Sequence, residues 1–344
     1  MKKVAILESL GISGAELERY MSRFAGKVQF ETYERTTDPD VLLQECRDKD
    51  AVILANMPFP AEVIARCERL RFIDVAFTGV DHVGLEAARA GNIRVSNASG
   101  YSNEAVSELV IGMALSMLRH IPEVQERLRS GGTKDGLVGT ELRGKTVGII
   151  GYGRIGRRTG ELFHAFGCRI LAQCRQLHSD LPDYVEQVSQ RELLQASDIV
   201  VLHCPLNDST RGMIDYEKLC LMKKTAVLIN VARGPVTNED DLARALQEGV
   251  IAGAAVDVFT KEPPLPPETQ MLRAPNTLLT PHVAFATKES MTLRAEIVFR
   301  NLLAWLEGGQ ENIMLVKTSS LTNNQAARFC LRLNRTCRSK KRQV

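Results

Sequence analysis

No stretch of the 344 residues approaches the ~20 consecutive apolar positions that a membrane-spanning helix needs, so no membrane partner is expected. The opening MKKVAILESLGISG pairs two lysines with an apolar run, but Glu8 cuts that run short. It reads as a first buried strand rather than a signal peptide, and a cytoplasmic location is expected. None of the eight cysteines stands in a C-x-x-C pair or a zinc-like spacing. Several lie inside apolar runs, such as Cys204 in VVLHCPL, so buried free thiols and no metal site are expected. No repeat of solenoid length is visible. Residues 317–344 hold no acid but eight lysines and arginines; without them the formal charge of +3 becomes −5. The body therefore lacks the basic balance of a nucleic-acid binder, and the basic tail is expected to be a solvated, disordered end.

What is present is an ordinary globular composition, 44% apolar and 25% charged, on a chain long enough for about two domains. Short apolar runs alternate with helical patterns, the rhythm of parallel α/β sheets. A first set reads VAIL (4–7), AVILA (51–55), FIDVAF (72–77) and IRVS (93–96). A second reads TVGIIG (146–151), RILAQ (169–173), DIVVLH (198–203), AVLINVA (226–232), AGAAVDVF (252–259) and TLLT (277–280). Six strands with helical crossovers predict a doubly wound dinucleotide sheet. One crossover helix is fully signalled: Asn238 caps it, acids fill its first turn and Gly249 stops it. Between the sets, Val106, Leu109, Val110, Met113, Met117 and Leu118 follow helical spacing with a wide apolar stripe, which predicts burial against the other domain or another subunit.

GYGRIG (151–156) follows an apolar strand and opens a helix whose amides can face a pyrophosphate. Gly151 suits the tight turn, Gly153 lets backbone approach phosphate, and Gly156 lets helix pack on strand; Arg154 and Ile155 complete the loop. About 20 residues on, a carboxylate is expected to hold an adenosine ribose. The chain offers Gln173, Cys174, Arg175 and Gln176 instead. A thiol cannot accept two ribose hydrogen bonds as a carboxylate does, and Arg175 can clasp a 2′-phosphate. NADP(H) is therefore the expected cofactor, with NAD(H) usable.

Ligands of such sheets sit outside the carboxyl ends of the strands. The segments there are GYGRIG, QCRQ, CPL, ARGP, TKEP and PHVAFAT. Topology thus gathers Arg233, Glu262 and His282 at the edge that carries the cofactor loop. Arg233 can hold a 2-oxo acid carboxylate with a planar fork. His282 can protonate the oxygen that hydride addition leaves negative, and Glu262 can orient the ring. Taken singly, each has a bland alternative: a surface ion pair, a solvated loop acid, a strand-end histidine.

LRGKTVGIIGYGRIG, LHCPLNDSTRGMI, LINVARGPVTNEDDLARAL, GAAVDVFTKEP and TPHVAFAT closely resemble the D-isomer-specific 2-hydroxyacid dehydrogenases, over roughly residues 4–316. The resemblance implies a flavodoxin-like substrate domain, 1–99 with 286–316, around a dinucleotide-binding domain, 100–285. It implies that Arg233 binds the substrate carboxylate with the amides of Thr78 and Gly79, and that His282 is the acid/base paired with Glu262. It implies that Asp257 holds the nicotinamide carboxamide, with Thr210, Cys204, Pro205 and Val231 near the cofactor. It also implies a homodimer through the helix after Tyr101. GYSNEAVSEL and PHVAFATKES look most like the hydroxypyruvate and glyoxylate reductase branch, although Phe285 stands where that branch usually has tryptophan. Asn56, in ANMPFP, is a candidate for a substrate hydroxyl, with Met57 and Phe59 lining a small apolar pocket or packing a core. The alternatives are a D-lactate or phosphoglycerate enzyme and a cofactor-sensing corepressor; the absence of a regulatory domain after 316 speaks against the longer phosphoglycerate dehydrogenases. Formate-type oxidation usually has glutamine where Glu262 stands.

Overall fold

A computed structural model describes residues 1–175 and 180–315. The basic tail expected at 317–344 lies outside the described residues. The chain divides into two units: residues 1–98 with 295–315, and Ser99–Arg294.

The first unit has strands β1 (Lys2–Ile6), β2 (Val28–Thr32), β3 (Ala51–Leu54), β4 (Phe72–Val75) and β5 (Arg94–Asn97). These five are parallel, in the order β2-β1-β3-β4-β5, which is the flavodoxin-like winding. β3 and β4 are buried at every residue, as strands covered on both faces must be. β2, VQFET, was not evident from the sequence because it is an edge strand with a single buried residue. The chain returns in the helix Lys288–Leu306, where Phe299 stacks on Tyr20 and Trp305 on Phe72.

Asp74 interrupts the apolar centre of this sheet. It is fully buried, accepts hydrogen bonds from Ser96 Oγ (2.7 Å) and Asn301 Nδ2 (3.1 Å), and its Oδ2 finds no partner among the described residues. Burial pushes its pKa up to about 7, above the ~3.9 of an unfolded aspartate. Folding thus favours the neutral acid. The stability this contributes is complete below about pH 4 and is lost as pH rises through about 7. Asp74→Asn, equal in shape and uncharged, should melt several degrees higher than wild type near pH 8 and no higher near pH 4. A melting difference that does not vary with pH would rule this out.

The second unit contains β6 (Thr146–Ile150), β7 (Arg169–Gln173), β8 (Val185–Gln187), β9 (Ile199–Leu202), β10 (Val227–Asn230), β11 (Gly253–Val256) and β12 (Thr277–Leu279). All are parallel, in the order β8-β7-β6-β9-β10-β11-β12, so the order in which strands are added reverses between β6 and β9. The short edge strand β8 was not read from the sequence; only Val185 of its three residues is buried. The helix Glu239–Gln247 is capped by Asn238 and ends before Gly249 at φ +65°. Two apolar clusters cover the two faces of the sheet.

The helix Asn103–Leu118 spends its apolar stripe within this unit. Val106, Val110, Met113 and Ala114 are buried in one cluster, and Leu109, Met117 and Leu118 pack against it. The exposed apolar side chains come later: Ile121, Leu128 and Val138. β13 (Ile313–Leu315) closes the first sheet, antiparallel to β5. The six described cysteines are free thiols. Among the described residues no helix is long and apolar enough to cross a membrane.

Candidate active site

The carboxyl edge of the seven-stranded sheet carries the predicted residues in spatial order. His282 follows β12, Glu262 follows β11, Arg233 follows β10, Cys204 follows β9, Gly151 follows β6 and Cys174 follows β7. The sheet's reversal, between β6 and β9, falls in the middle of this row, where doubly wound sheets bind their ligands.

The glycine loop is shaped for a bound anion. Gly151 has φ +96°, and a Cβ there would lie 2.5 Å from the Cys204 nitrogen. A Cβ on Gly156 would meet the Gly151 carbonyl oxygen. Gly153 borders open space, caps the helix Arg154–Ala165 with no side-chain hydrogen bond, and leaves its first amides available. Beside the loop is a cavity of about 750 Å³. Gly153, Cys174, Arg175, Cys204, Pro205 and Thr210 line it. Thr210 shapes this wall itself: its Oγ1 donates to Pro205 O (2.7 Å) and accepts from Asn207 N (2.9 Å). Arg154, Ile155, Gly156, Val231 and Asp257 do not border the cavity. Cys174 and Arg233 follow strands three spacings apart, about 14 Å, the extent over which a dinucleotide would lie. The loop, the cavity and this span fit a nicotinamide dinucleotide.

At the other end, Glu262 accepts from His282 Nδ1 at 2.9 and 3.0 Å. With Nδ1 held, the ring works through Nε2. His282 sits at φ +55°, a left-handed conformation uncommon outside glycine. Asp257 explains how it is kept there. The His282 amide donates to the Asp257 carbonyl (2.8 Å), and the buried Asp257 carboxylate accepts from Thr280 Oγ1 and from the amides of Val283 and Ala284, both at 2.9 Å. Burial raises the Asp257 pKa, against those hydrogen bonds. Three of its roughly four lone-pair sites are thus taken, which leaves about one for the expected nicotinamide carboxamide. Arg233 is placed by its turn: Nη1 donates to Ala232 O (2.8 Å), and Asn230 Nδ2 donates to the Arg233 carbonyl (3.1 Å). A Cβ on Gly234 would strike the Phe259 backbone, so this turn packs directly on the segment that follows β11. Phe285 stands edge-on to His282, with ring centroids 5.4 Å apart.

His203 is a site residue that the sequence reading did not single out. It lines the cavity and meets Thr159 Oγ1 at 2.9 Å, and burial pushes its pKa down to about 3. Its signal was its strand-end position in LHCPL. In the first unit, Thr78 and Gly79 follow β4, and Asn97 Nδ2 donates to the Thr78 carbonyl (2.7 Å). Met57 and Phe59 are fully buried core residues, so the apolar-pocket reading of ANMPFP gives way to core packing; Asn56 between them and β3 is half-buried.

A dinucleotide sheet with an arginine and a Glu–His pair at one end of its ligand edge defines a nicotinamide-dependent oxidoreductase. The model of the D-isomer specific 2-hydroxyacid dehydrogenase NAD binding domain matches residues 111–284. The chain is 39% identical to a glyoxylate reductase of Thermofilum pendens, over 78% of this chain and 81% of that protein. It is 33% identical to a hydroxypyruvate reductase of Blautia hydrogenotrophica, over 82% of this chain and 90% of that protein. A solved glyoxylate reductase from Paecilomyes thermophila has a TM-score of 0.83 at 27% identity, covering 91% of this chain and 98% of that one. The chain belongs to the D-isomer-specific 2-hydroxyacid dehydrogenases. It is an oxidoreductase that transfers a hydride between a nicotinamide cofactor and a small 2-oxo acid, giving a D-2-hydroxy acid.

Proposed function

We propose that this enzyme reduces hydroxypyruvate and glyoxylate and prefers NADPH. The Glu262–His282 pair at 2.9 Å, two strand ends from Arg233, is the observation that carries the chemistry. Bound reduced nicotinamide supplies the hydride. Arg233 grips the carboxylate and withdraws electron density from the neighbouring carbonyl. His282 delivers a proton from Nε2 to the oxygen that becomes the hydroxyl, and Glu262 holds Nδ1 throughout. In the first unit, the amides of Thr78 and Gly79 are the candidates to bind a carboxylate. Gly151 and Gly156 shape the loop that brings the backbone at Gly153, Arg154 and Ile155 to the pyrophosphate; Cys174, Arg175, Cys204, Pro205 and Thr210 line the cofactor cavity, and Val231 and Asp257 lie behind its nicotinamide end. The relatives named glyoxylate and hydroxypyruvate reductase favour these substrates over D-lactate and over a non-enzymatic role. A panel of 2-oxo acids, assayed with each reduced cofactor, tests the assignment. Hydroxypyruvate and glyoxylate should give the highest kcat/KM; turnover confined to other acids, or to none, would remove it.

The enzyme is further proposed to be a homodimer. Ile121, Leu128 and Val138, which follow the helix after Tyr101 in the chain, are 46%, 74% and 78% exposed, and a partner chain would take such apolar side chains out of water. Sedimentation at micromolar concentration should give the mass of two chains, and Leu128→Glu with Val138→Glu should give one. A wild type that sediments as a single chain excludes the dimer.

A further inference from the structure

The carboxyl edge of the first unit's sheet also carries a row of polar residues. Thr78 follows β4, Asn56 follows β3, Glu8 follows β1 and Arg35 follows β2, and these four strands are consecutive neighbours. Glu8 is only 6% exposed. A carboxylate buried to that extent must be hydrogen-bonded, and its Oε2 accepts from the amides of Ala55 (2.8 Å) and Met57 (3.0 Å). Those amides flank Asn56. Arg35 Nη1 stands 3.5 Å from the other oxygen of Glu8. Ala55 and Met57 are buried, so Asn56 is the residue of this turn that keeps a polar side chain at the edge.

On the sheet edge, Thr78 has a strand end on either side where the third carbon of a 2-oxo acid can be met. One neighbour, β5, ends in Asn97, whose side-chain amide already donates to the Thr78 carbonyl. The other, β3, leads to Asn56. We propose that Glu8 is the positioning residue of a C3-hydroxyl subsite. By holding the amides on both sides of Asn56, it fixes that side chain to bind the hydroxyl of a short 3-hydroxy-2-oxo acid. The inference rests on the 2-oxo acid reductase reading of the preceding section.

The test compares hydroxypyruvate, which has a C3 hydroxyl, with glyoxylate, which has no third carbon. Asn56→Ala and Glu8→Ala should each lower the hydroxypyruvate-to-glyoxylate ratio of kcat/KM about 10-fold, mostly through the hydroxypyruvate KM, as loss of one hydrogen bond requires. The double variant should be no worse than either single one, because both remove the same contact. Glu8→Gln retains an oxygen for both amides and should keep the ratio. Glu8→Asp, one methylene shorter, carries the same expectation as alanine and decides the matter if Glu8→Ala does not fold. A purely structural Glu8 would depress both substrates alike and leave the ratio where it was. That result, an unaltered ratio in Asn56→Ala, or losses that multiply in the double variant, overturns the proposal. A wild type that reduces neither acid overturns the underlying reading, and the subsite with it.

Discussion

His282→Ala should lose turnover by about 10²–10⁴-fold while binding the reduced cofactor almost as tightly as wild type. The expectation follows from where the ring is held. Its Nδ1 is committed to Glu262 at 2.9 Å, and its backbone is tied to Asp257 in a left-handed turn, so the ring presents Nε2 in one orientation. Alanine removes the proton donor and leaves the Asp257 clamp on the 283–284 amides intact, so the fold should survive. Glu262→Gln should fall less steeply, because the amide oxygen can still accept from Nδ1 but faces the charged ring without a negative charge of its own. Single-turnover rates and cofactor titration check both variants. If His282→Ala keeps near-normal turnover, the proton comes from another group. If cofactor binding falls in parallel with turnover, the residue is structural.

The sequence made the second unit legible because its signals are local. TVGIIG and RILAQ are continuous apolar runs, Gly151 and Gly156 stand where a Cβ would collide with backbone, and Asn238 and Gly249 bound a helix by their own chemistry. Arg233, Glu262 and His282 were legible for a different reason: a parallel sheet brings every strand's carboxyl end to one edge, so residues about 50 positions apart share it. β2 and β8 were missed because edge strands bury few side chains and leave little apolar pattern. The Asp257 clamp was invisible because its partners, Thr280, Val283 and Ala284, act through a hydroxyl and two backbone amides. Glu8 looked only like an interruption of a strand, since its partners are amides 47 and 49 residues away. The wide stripe on the helix Asn103–Leu118 revealed burial without naming the surface that covers it, and that surface is largely its own unit.

Wild type should show a higher kcat/KM with NADPH than with NADH, and Arg175→Ala should lose most of that preference, by roughly 10–100-fold, with NADH use little altered. The residue at the usual position of the ribose-binding acid is Cys174, at the end of β7 and on the wall of the cavity. Burial raises its thiol pKa, so it stays neutral and does not repel a phosphate dianion. Arg175 follows it, exposed at the same wall. Two other arginines, on the helix Arg154–Ala165, are already engaged. Arg157 pairs with Asp180 at 2.9 Å, and Arg158 with Glu104 at 2.7 Å and Glu161 at 2.8 Å. Arg175 is therefore the residue expected to hold a 2′-phosphate. Cys174→Asp makes the converse case: a carboxylate there accepts the ribose hydroxyls and repels the phosphate, so the preference should move to NADH. Steady-state kinetics with each cofactor at saturating 2-oxo acid measure both ratios. A wild type that prefers NADH, or an Arg175→Ala variant whose ratio is unchanged, defeats the assignment. A Cys174→Asp variant still favouring NADPH would mean that the phosphate is held elsewhere.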